Sequence, residues 1–87
     1  MMKIEFSLDV LKPHAPSIDY VAKTLMDIEG ISKVHVKLDE LDQKTASLHI
    51  DIIGNDLSLD DITEKLLSLN CAVHSIDEVI YERDKDK

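Results

Sequence analysis

The chain has 87 residues, of which 44% are hydrophobic and 32% charged, and its formal net charge is −8. This length accommodates one small domain, and the apolar fraction is close to that of ordinary globular domains, which excludes a wholly disordered chain. Eighteen acidic residues stand against ten basic ones, so the chain repels a phosphate backbone at long range and we expect no nucleic-acid binding.

The single cysteine, Cys71, excludes an intrachain disulfide, a cysteine-based zinc site and an iron–sulfur cluster within one chain. A lone thiol is typical of a reducing compartment, and we expect it to be a small buried side chain. Residues 1–5 lack the apolar core of a secretory signal, and no uncharged stretch approaches the roughly 18 residues that span a bilayer. We therefore expect a cytoplasmic protein with no membrane contact.

The first half of the chain predicts a strand, a turn and a helix. Residues 4–10 alternate between apolar and polar, which is typical of a half-buried strand. Two prolines within 12–16 favour an extended turn. Ser17 is a candidate N-cap, apolar residues at helical spacing over 18–28 predict a helix, and Gly30 offers a left-handed stop.

The second half predicts two more strands, a helix and a last strand. Alternation over 31–39 and again over 46–52 predicts two strands joined by a short turn. Ser58 resembles a helix cap, and the apolar stripe over 59–69 predicts the second helix. The last strand is expected over 72–81.

The order strand–helix–strand therefore occurs twice, and Ser17-Ile18-Asp19 is echoed by Ser58-Leu59-Asp60. Right-handed crossovers place both helices on one face of a four-stranded antiparallel sheet of spatial order 4-1-3-2. This is the α+β, ferredoxin-like βαββαβ fold. We expect one such domain over residues 1–81 and a charged C-terminal tail over 82–87.

The other face of this sheet is predicted to be open and polar. If residues 42 and 46 flank the turn, Lys37 lies opposite Asp51 and Asp39 lies opposite His49. The second and fourth strands are edges whose open hydrogen-bonding groups favour protection or subunit pairing. The residues expected on the open face are Glu5, Ser7, Asp9, Lys37, Asp39, Ser47, His49, Asp51, Ser75 and Asp77.

Three segments carry a resemblance to a known family: LDVLKPHAPSI at 8–18, ELD at 40–42 and HSIDEV at 74–79. Together they resemble the archaeal family called domain of unknown function 211, over about residues 3–80. The resemblance implies a ferredoxin-like domain, assembly into rings and an allosteric or regulatory role, and it implies no activity. Asn70-Cys71 stands where family members often carry Gly-Gly, which leaves the geometry of the helix exit open.

A candidate ligand site is expected at the upper end of the sheet, the end at which Pro13 lies. Both strand-to-helix loops, 13–16 and 54–57, are expected there, together with helix N-termini that favour anions. A small polar metabolite is predicted to bind to Asp9, Lys12, His14, Ser17, His74 and Ser75. The alternative is that Lys12-Pro13-His14 only shapes a turn and that Ser17 only caps a helix.

A candidate metal site is expected at the lower end, where carboxylates are predicted to gather. Neighbouring carboxylates repel unless a cation intervenes, and oxygen-rich clusters suit calcium or magnesium. The ligands would come from several strands or from two subunits, and the alternative is a set of solvated edge carboxylates. The predicted metal ligands are Glu40, Asp42, Asp77 and Glu78.

The sequence thus predicts a protein that is not an enzyme and has no catalytic residue. We expect a homo-oligomeric regulatory or ligand-sensing module, which binds a small polar metabolite or ion at loops or subunit interfaces. One alternative is a ring-forming structural protein that binds calcium or magnesium. The other is a small hydrolase with His14 or His74 as general base.

Overall fold

A computed structural model describes residues 1–83. Its four strands form one antiparallel sheet in the order β2-β3-β1-β4, so the expected ferredoxin-like α+β fold is confirmed. The elements in chain order are β1 (Met2–Pro13), α1 (Ile18–Met26), β2 (Ile31–Leu41), β3 (Thr45–Asn55), α2 (Leu59–Ser68) and β4 (Ala72–Arg83). Strand β4 continues through Glu82 and Arg83, which the sequence analysis assigned to the tail, and residues 84–87 lie outside the described part.

The hydrophobic core lies between the helices and one face of the two central strands. Alternate residues of β1 and β3 are buried, as the period of two in their sequences requires. The helices contribute Val21 and Leu25 from α1, and Ile62 and Leu66 from α2. The strand residues of this core are Ile4, Phe6, Leu8, Val10, Ile31, Ala46, Leu48, Ile50 and Ile52.

Both helices begin at the predicted caps. Ser17 Oγ accepts a hydrogen bond from the backbone N–H of Tyr20 at 3.1 Å, and Ser58 Oγ accepts one from that of Asp61 at 3.3 Å. The chain leaves helix α2 through Asn70, whose φ of 63° lies in the left-handed region. Asparagine tolerates this conformation better than most residues, so the chain makes the exit without a glycine.

The two strand-to-helix loops lie at opposite ends of the sheet, so the expectation that they share one end is wrong. Strands β1 and β3 are antiparallel neighbours, and the chain therefore leaves them in opposite directions. The loop after β1 lies at the upper end, where Pro13 pairs with Thr45. The β2–β3 turn also lies there, and it is closed by a 2.8 Å hydrogen bond from Asp42 N to Thr45 O.

The predicted pairing of β2 with β3 is off by two residues. His35, not Lys37, lies opposite Asp51, and Lys37 lies opposite His49. The hairpin is one residue tighter than expected, since Leu41 pairs with Ala46, and the register shifts again at Asp39. Asp39 is thus a bulge residue without a cross-strand partner in this register.

Strand β4 is also irregular where it pairs with β1. The register shifts twice, at Asp77 and at His74. Ser75 keeps its predicted place on the open face beside Asp9, whereas Asp77 lies at a bulge. Neither helix of the described chain has the length or the apolar composition needed to cross a membrane.

Candidate functional site

The Lys12 side chain closes the loop between β1 and α1. Lys12 points to the helix side of the sheet and is only 4% exposed. It is the one buried charged residue of the described chain. Its Nζ donates to the carbonyl oxygens of Pro13 at 2.7 Å, His14 at 3.1 Å and Pro16 at 2.7 Å. An ammonium group has three donors, and these contacts use all of them.

Two other residues of the predicted ligand site also have structural contacts. Ser17 Oγ caps α1. His14 Nε2 lies 3.2 Å from the carbonyl oxygen of Asp42, which links the loop after β1 to the β2–β3 turn. The alternative interpretation, in which this segment shapes a turn and caps a helix, accounts for Lys12, His14 and Ser17.

The remaining predicted ligand residues lie elsewhere. Asp9 is half-buried at the centre of the open face, with His49 of β3 and Ser75 of β4 as its pairing partners. His74 is exposed at a bulge, and Ser75 Oγ donates to Asp77 Oδ1 at 2.8 Å. Because successive strand residues point to opposite faces, Asp9 and Lys12 do not converge, and the six residues form no single site.

The four predicted metal ligands do not meet within one chain. Glu40 lies near the end of β2, close to Asp42 and at the upper end of the sheet, so the expectation that both lie at the lower end is wrong; Asp77 and Glu78 lie on β4. Two strands separate β2 from β4, which corresponds to about 14 Å across the sheet. Within residues 1–83, no three or more His, Cys, Asp or Glu side chains are arranged to hold a metal ion.

The open face carries a polar cluster that the sequence analysis did not assemble. Ser7 Oγ donates to Asp51 Oδ1 at 2.6 Å, and His49 Nε2 lies 3.0 Å from the same oxygen. His35 Nδ1 lies 3.5 Å from Asp51 Oδ2. Three strands supply this Asp51 cluster, which comprises Ser7, His35, His49 and Asp51.

The cluster stabilises the charged form of Asp51. The hydrogen bond from Ser7 is the largest influence and lowers the pKa of Asp51 below its ordinary value. Partial burial opposes this shift, and the charge of His49 together with hydrogen bonds from both imidazoles adds to it. The result is a carboxylate fixed in place at the middle of the open face.

The Asp51 cluster borders a groove that crosses the open face. The groove has a volume of about 230 Å³ and reaches all four strands. It combines a cationic side chain, Lys33, with the carboxylates of Glu5 and Glu78. This open-face groove is lined by Glu5, Ser7, Lys33, His35, Asp51, Ile53 and Glu78.

The geometry of the cluster favours binding over nucleophilic catalysis. In a serine nucleophile the imidazole lies between the hydroxyl and the carboxylate and takes the hydroxyl proton. Here Asp51 occupies the middle position, and Ser7 donates its proton to that carboxylate. Cys71 is buried, and burial raises the pKa of its thiol, which is the opposite of what a reactive thiolate requires.

Apolar side chains are exposed along both edges of the sheet, on the side that carries the helices. On β4 these are Ile76, Val79 and Tyr81, which are 48%, 50% and 59% exposed. On β2 they are Leu38 and Leu41, which line an apolar groove with Ile18 of α1. The helices therefore cover the centre of the sheet and leave apolar surface at its two edges.

The chain is similar to a known family and to an archaeal protein. The model of the family domain of unknown function 211, described as "Uncharacterized ArCR", matches residues 5–84. An uncharacterized protein of Methanocaldococcus jannaschii is 41% identical over 73 residues, which cover 84% of this chain and 75% of the relative. The family match reaches into all six elements of the fold.

Proposed function

This chain belongs to the family domain of unknown function 211, and we propose that it works as a homo-oligomeric, non-enzymatic ligand-sensing module in the cytoplasm. Its ligand is a small polar metabolite, bound in the open-face groove. The observation that carries the proposal is the fixed Asp51 carboxylate, which lies beside a groove lined by positively and negatively charged side chains.

The lining of the groove favours a ligand that itself carries both charges. Lys33 is a donor for a carboxylate, and Glu5 and Glu78 are acceptors for an ammonium group. Ser7 and His49 already hold the Asp51 side chain, so this side chain loses little rotational freedom when the ligand binds. A free amino acid or a similar zwitterion has the charges and the size that this groove requires.

The exposed edges support self-association. The chain of 9.8 kDa exposes apolar residues on both edge strands, and covering this surface is energetically favourable. A second copy of the chain offers the same pair of edges, so one type of contact covers both. Ligand pockets occur preferentially at interfaces between domains, and the β4 end of the open-face groove, at Glu78, lies at this edge.

Ligand binding is tested by the melting temperature in the presence of the twenty common L-amino acids, added singly. We expect at least one to raise the melting temperature, because a ligand at 100 times its Kd stabilises by about 2.7 kcal/mol. The response should disappear in a variant with Glu5→Gln and Lys33→Met. The control, Glu64→Gln on the exposed side of α2, should respond as the native chain does. If none of the twenty binds, the amino-acid assignment is wrong.

Self-association is tested by the mass in solution at micromolar concentration. We expect light scattering to give more than the 9.8 kDa of one chain. The pair Val79→Asp and Tyr81→Asp should reduce the mass to one chain, because charges on the β4 edge oppose apolar contact. Leu67→Asp is the matched control, since Leu67 is 57% exposed and belongs to α2 and not to an edge strand. A native chain that is monomeric would contradict the proposal.

The two alternative functions make different predictions. A calcium- or magnesium-dependent assembly should lose mass and melting temperature when EDTA is added. A small hydrolase should turn over at least one member of a panel of esters and phosphoesters. The proposed module should show neither response.

A further inference from the structure

We propose that copies of this chain associate head to tail, with β4 of one copy pairing antiparallel to β2 of the next, in the register that sets Lys37 against Glu78 and Lys33 against Glu82. This inference rests on the proposed self-association and names the surface that carries it. The result is a sheet that continues from copy to copy. Lys33 and Glu78, which line the open-face groove, then also face residues of neighbouring copies, so the proposed ligand binds next to the contact.

The two edge strands carry opposite charges on the open face. Strand β2 presents Lys33, His35 and Lys37, whereas β4 presents Glu78 and Glu82. Pairing two β4 edges brings no opposite charges together on this face, and pairing two β2 edges can match Lys33 with Glu40 but leaves Lys37 without an acidic partner. Pairing β2 with β4 sets opposite charges together, so the contact is heterologous and each copy uses both edges.

The strand directions permit this contact without turning a copy over. Strand β2 is antiparallel to β3, β3 to β1, and β1 to β4. It follows that β2 and β4 of one copy run in opposite directions. Two copies side by side in the same orientation therefore present antiparallel edges, and both helix layers stay on the same side of the continued sheet.

The register follows from the charges. Pairing through the central strands places His35 and Glu78 at the level of Ser7, and Lys33 and Ile80 at the level of Glu5. With no offset between copies, no lysine faces a glutamate. Only shifts by an even number of residues pair open-face residues of one copy with open-face residues of the next.

A shift of β2 by two residues toward the lower end of the sheet creates two ion pairs, Lys37 with Glu78 and Lys33 with Glu82. The opposite shift by two residues creates one pair, Lys33 with Glu78. The favoured shift also sets the acidic Glu40 against Ser75 and not against a carboxylate.

The apolar side of the edges is also matched in this register. The shift that forms the two ion pairs sets Leu38 against Ile76, Val36 against Val79, and Val34 against Tyr81. Ile76, Val79 and Tyr81 are exposed in the single chain, as is Leu38 at 44%. One displacement therefore satisfies the charges on the open face and the hydrophobic side chains on the helix side.

Charge reversal at the two edges tests the contact. One variant carries Lys33→Glu and Lys37→Glu, and a second carries Glu78→Lys and Glu82→Lys. Each should have the mass of one chain at a concentration at which the native chain is assembled, because its two edges then have the same charge. An equimolar mixture of the two variants should assemble again, and so should a single chain with all four substitutions.

A control separates the edge contact from the change in net charge. Lys23→Glu with Lys44→Glu changes the net charge by the same amount as the first variant, but on α1 and in the β2–β3 turn. This control should retain the native mass. Restored assembly in the mixture and in the fourfold variant cannot arise from misfolding, so the design remains decisive if one double variant is unstable.

Cysteine cross-linking tests the register itself. Under mild oxidation, a chain with Lys33→Cys should form a disulfide with a chain carrying Glu82→Cys more readily than with one carrying Glu78→Cys. Equal yields, or double charge variants that keep the native mass, would overturn this inference while leaving self-association intact. A monomeric native chain would overturn the proposed function as well.

Discussion

The loop between β1 and α1 depends on one buried side chain. The Lys12 ammonium donates to three backbone carbonyls and is almost completely buried. The sequence left two roles open for Lys12, binding a ligand or shaping the turn, because it could not say whether the donors face a ligand or the backbone. That choice depends on the path of residues 13–16, which periodicity does not specify.

Replacing Lys12 with methionine should destabilise the fold, because the chain length of the side chain is kept and all three donors are lost. We expect the free energy of unfolding to fall by about 2–3 kcal/mol, as for loss of hydrogen bonds to a buried charged group. Urea unfolding measures the effect. Lys23→Met is the control, since Lys23 is 76% exposed in an i,i+4 pair with Asp19 and should cost less than about 0.5 kcal/mol. Equal effects of the two changes would indicate that the Lys12 contacts contribute little.

The Asp51 cluster should make stability depend on pH in the acid range. The pKa of Asp51 is lowered in the folded chain, mainly by Ser7, so the cluster favours the ionised carboxylate. Its contribution is therefore complete above the unfolded value, 3.8, and is lost as the pH falls through the lower folded value. The stability advantage of the native chain over Asp51→Asn should therefore shrink below about pH 4. Asp39→Asn, at an exposed bulge, should show no comparable change, and urea unfolding across this range measures both.

At the scale of the elements, the sequence predicts type and order well and strand register poorly. The alternation in β1 and β3 and the caps at Ser17 and Ser58 are strong local signals, and all six elements were found. The bulges at Asp39 and Asp77 have no such signal, because a single extra residue leaves the surrounding alternation unchanged. The tighter β2–β3 turn and the bulge at Asp39 each move the pairing by one residue, which explains why the contact between His35 and Asp51 was missed.

The lower ends of β2 and β3 approach so closely that Gly54 has no room for a side chain. A methyl group there would overlap the carbonyl oxygen of Gly30 and lie 2.8 Å from the Cα of Ile31, and backbone atoms cannot swing away as a side chain can. Gly54→Ala should therefore lower the free energy of unfolding by about 1–3 kcal/mol, the range for overpacking. Asn55→Ala, one residue further along β3, is the control and should have a smaller effect. Thermal unfolding of both variants checks the prediction, and an unchanged melting temperature for Gly54→Ala would contradict it.

At the scale of the whole molecule, the position of each loop follows from strand direction and not from local sequence. Loops 13–16 and 54–57 were expected to share the upper end of the sheet, and Glu40 and Asp42 were expected at the lower end. Antiparallel pairing of β1 with β3 separates these loops. The open-face groove takes residues from all four strands, so it can be found only when the register of the complete sheet is known.

The proposed edge contact predicts that self-association has a maximum at intermediate salt. Copies with a net charge of −8 repel each other, and their centres lie about 20 Å apart, because the shorter dimensions of the chain are 22 and 18 Å. The Debye length is about 10 Å at 0.1 M salt, so raising salt to that level removes most of the general repulsion and should favour assembly. Above about 0.1 M, further salt weakens mainly the close pairs of Lys33 with Glu82 and Lys37 with Glu78, and assembly should decrease.

Sedimentation velocity at a series of sodium chloride concentrations measures this profile. A variant with Lys33→Met and Lys37→Met should lose the decrease at high salt and keep the increase at low salt, since only the close pairs are absent. A native profile that rises throughout would show that apolar contacts alone hold the copies together.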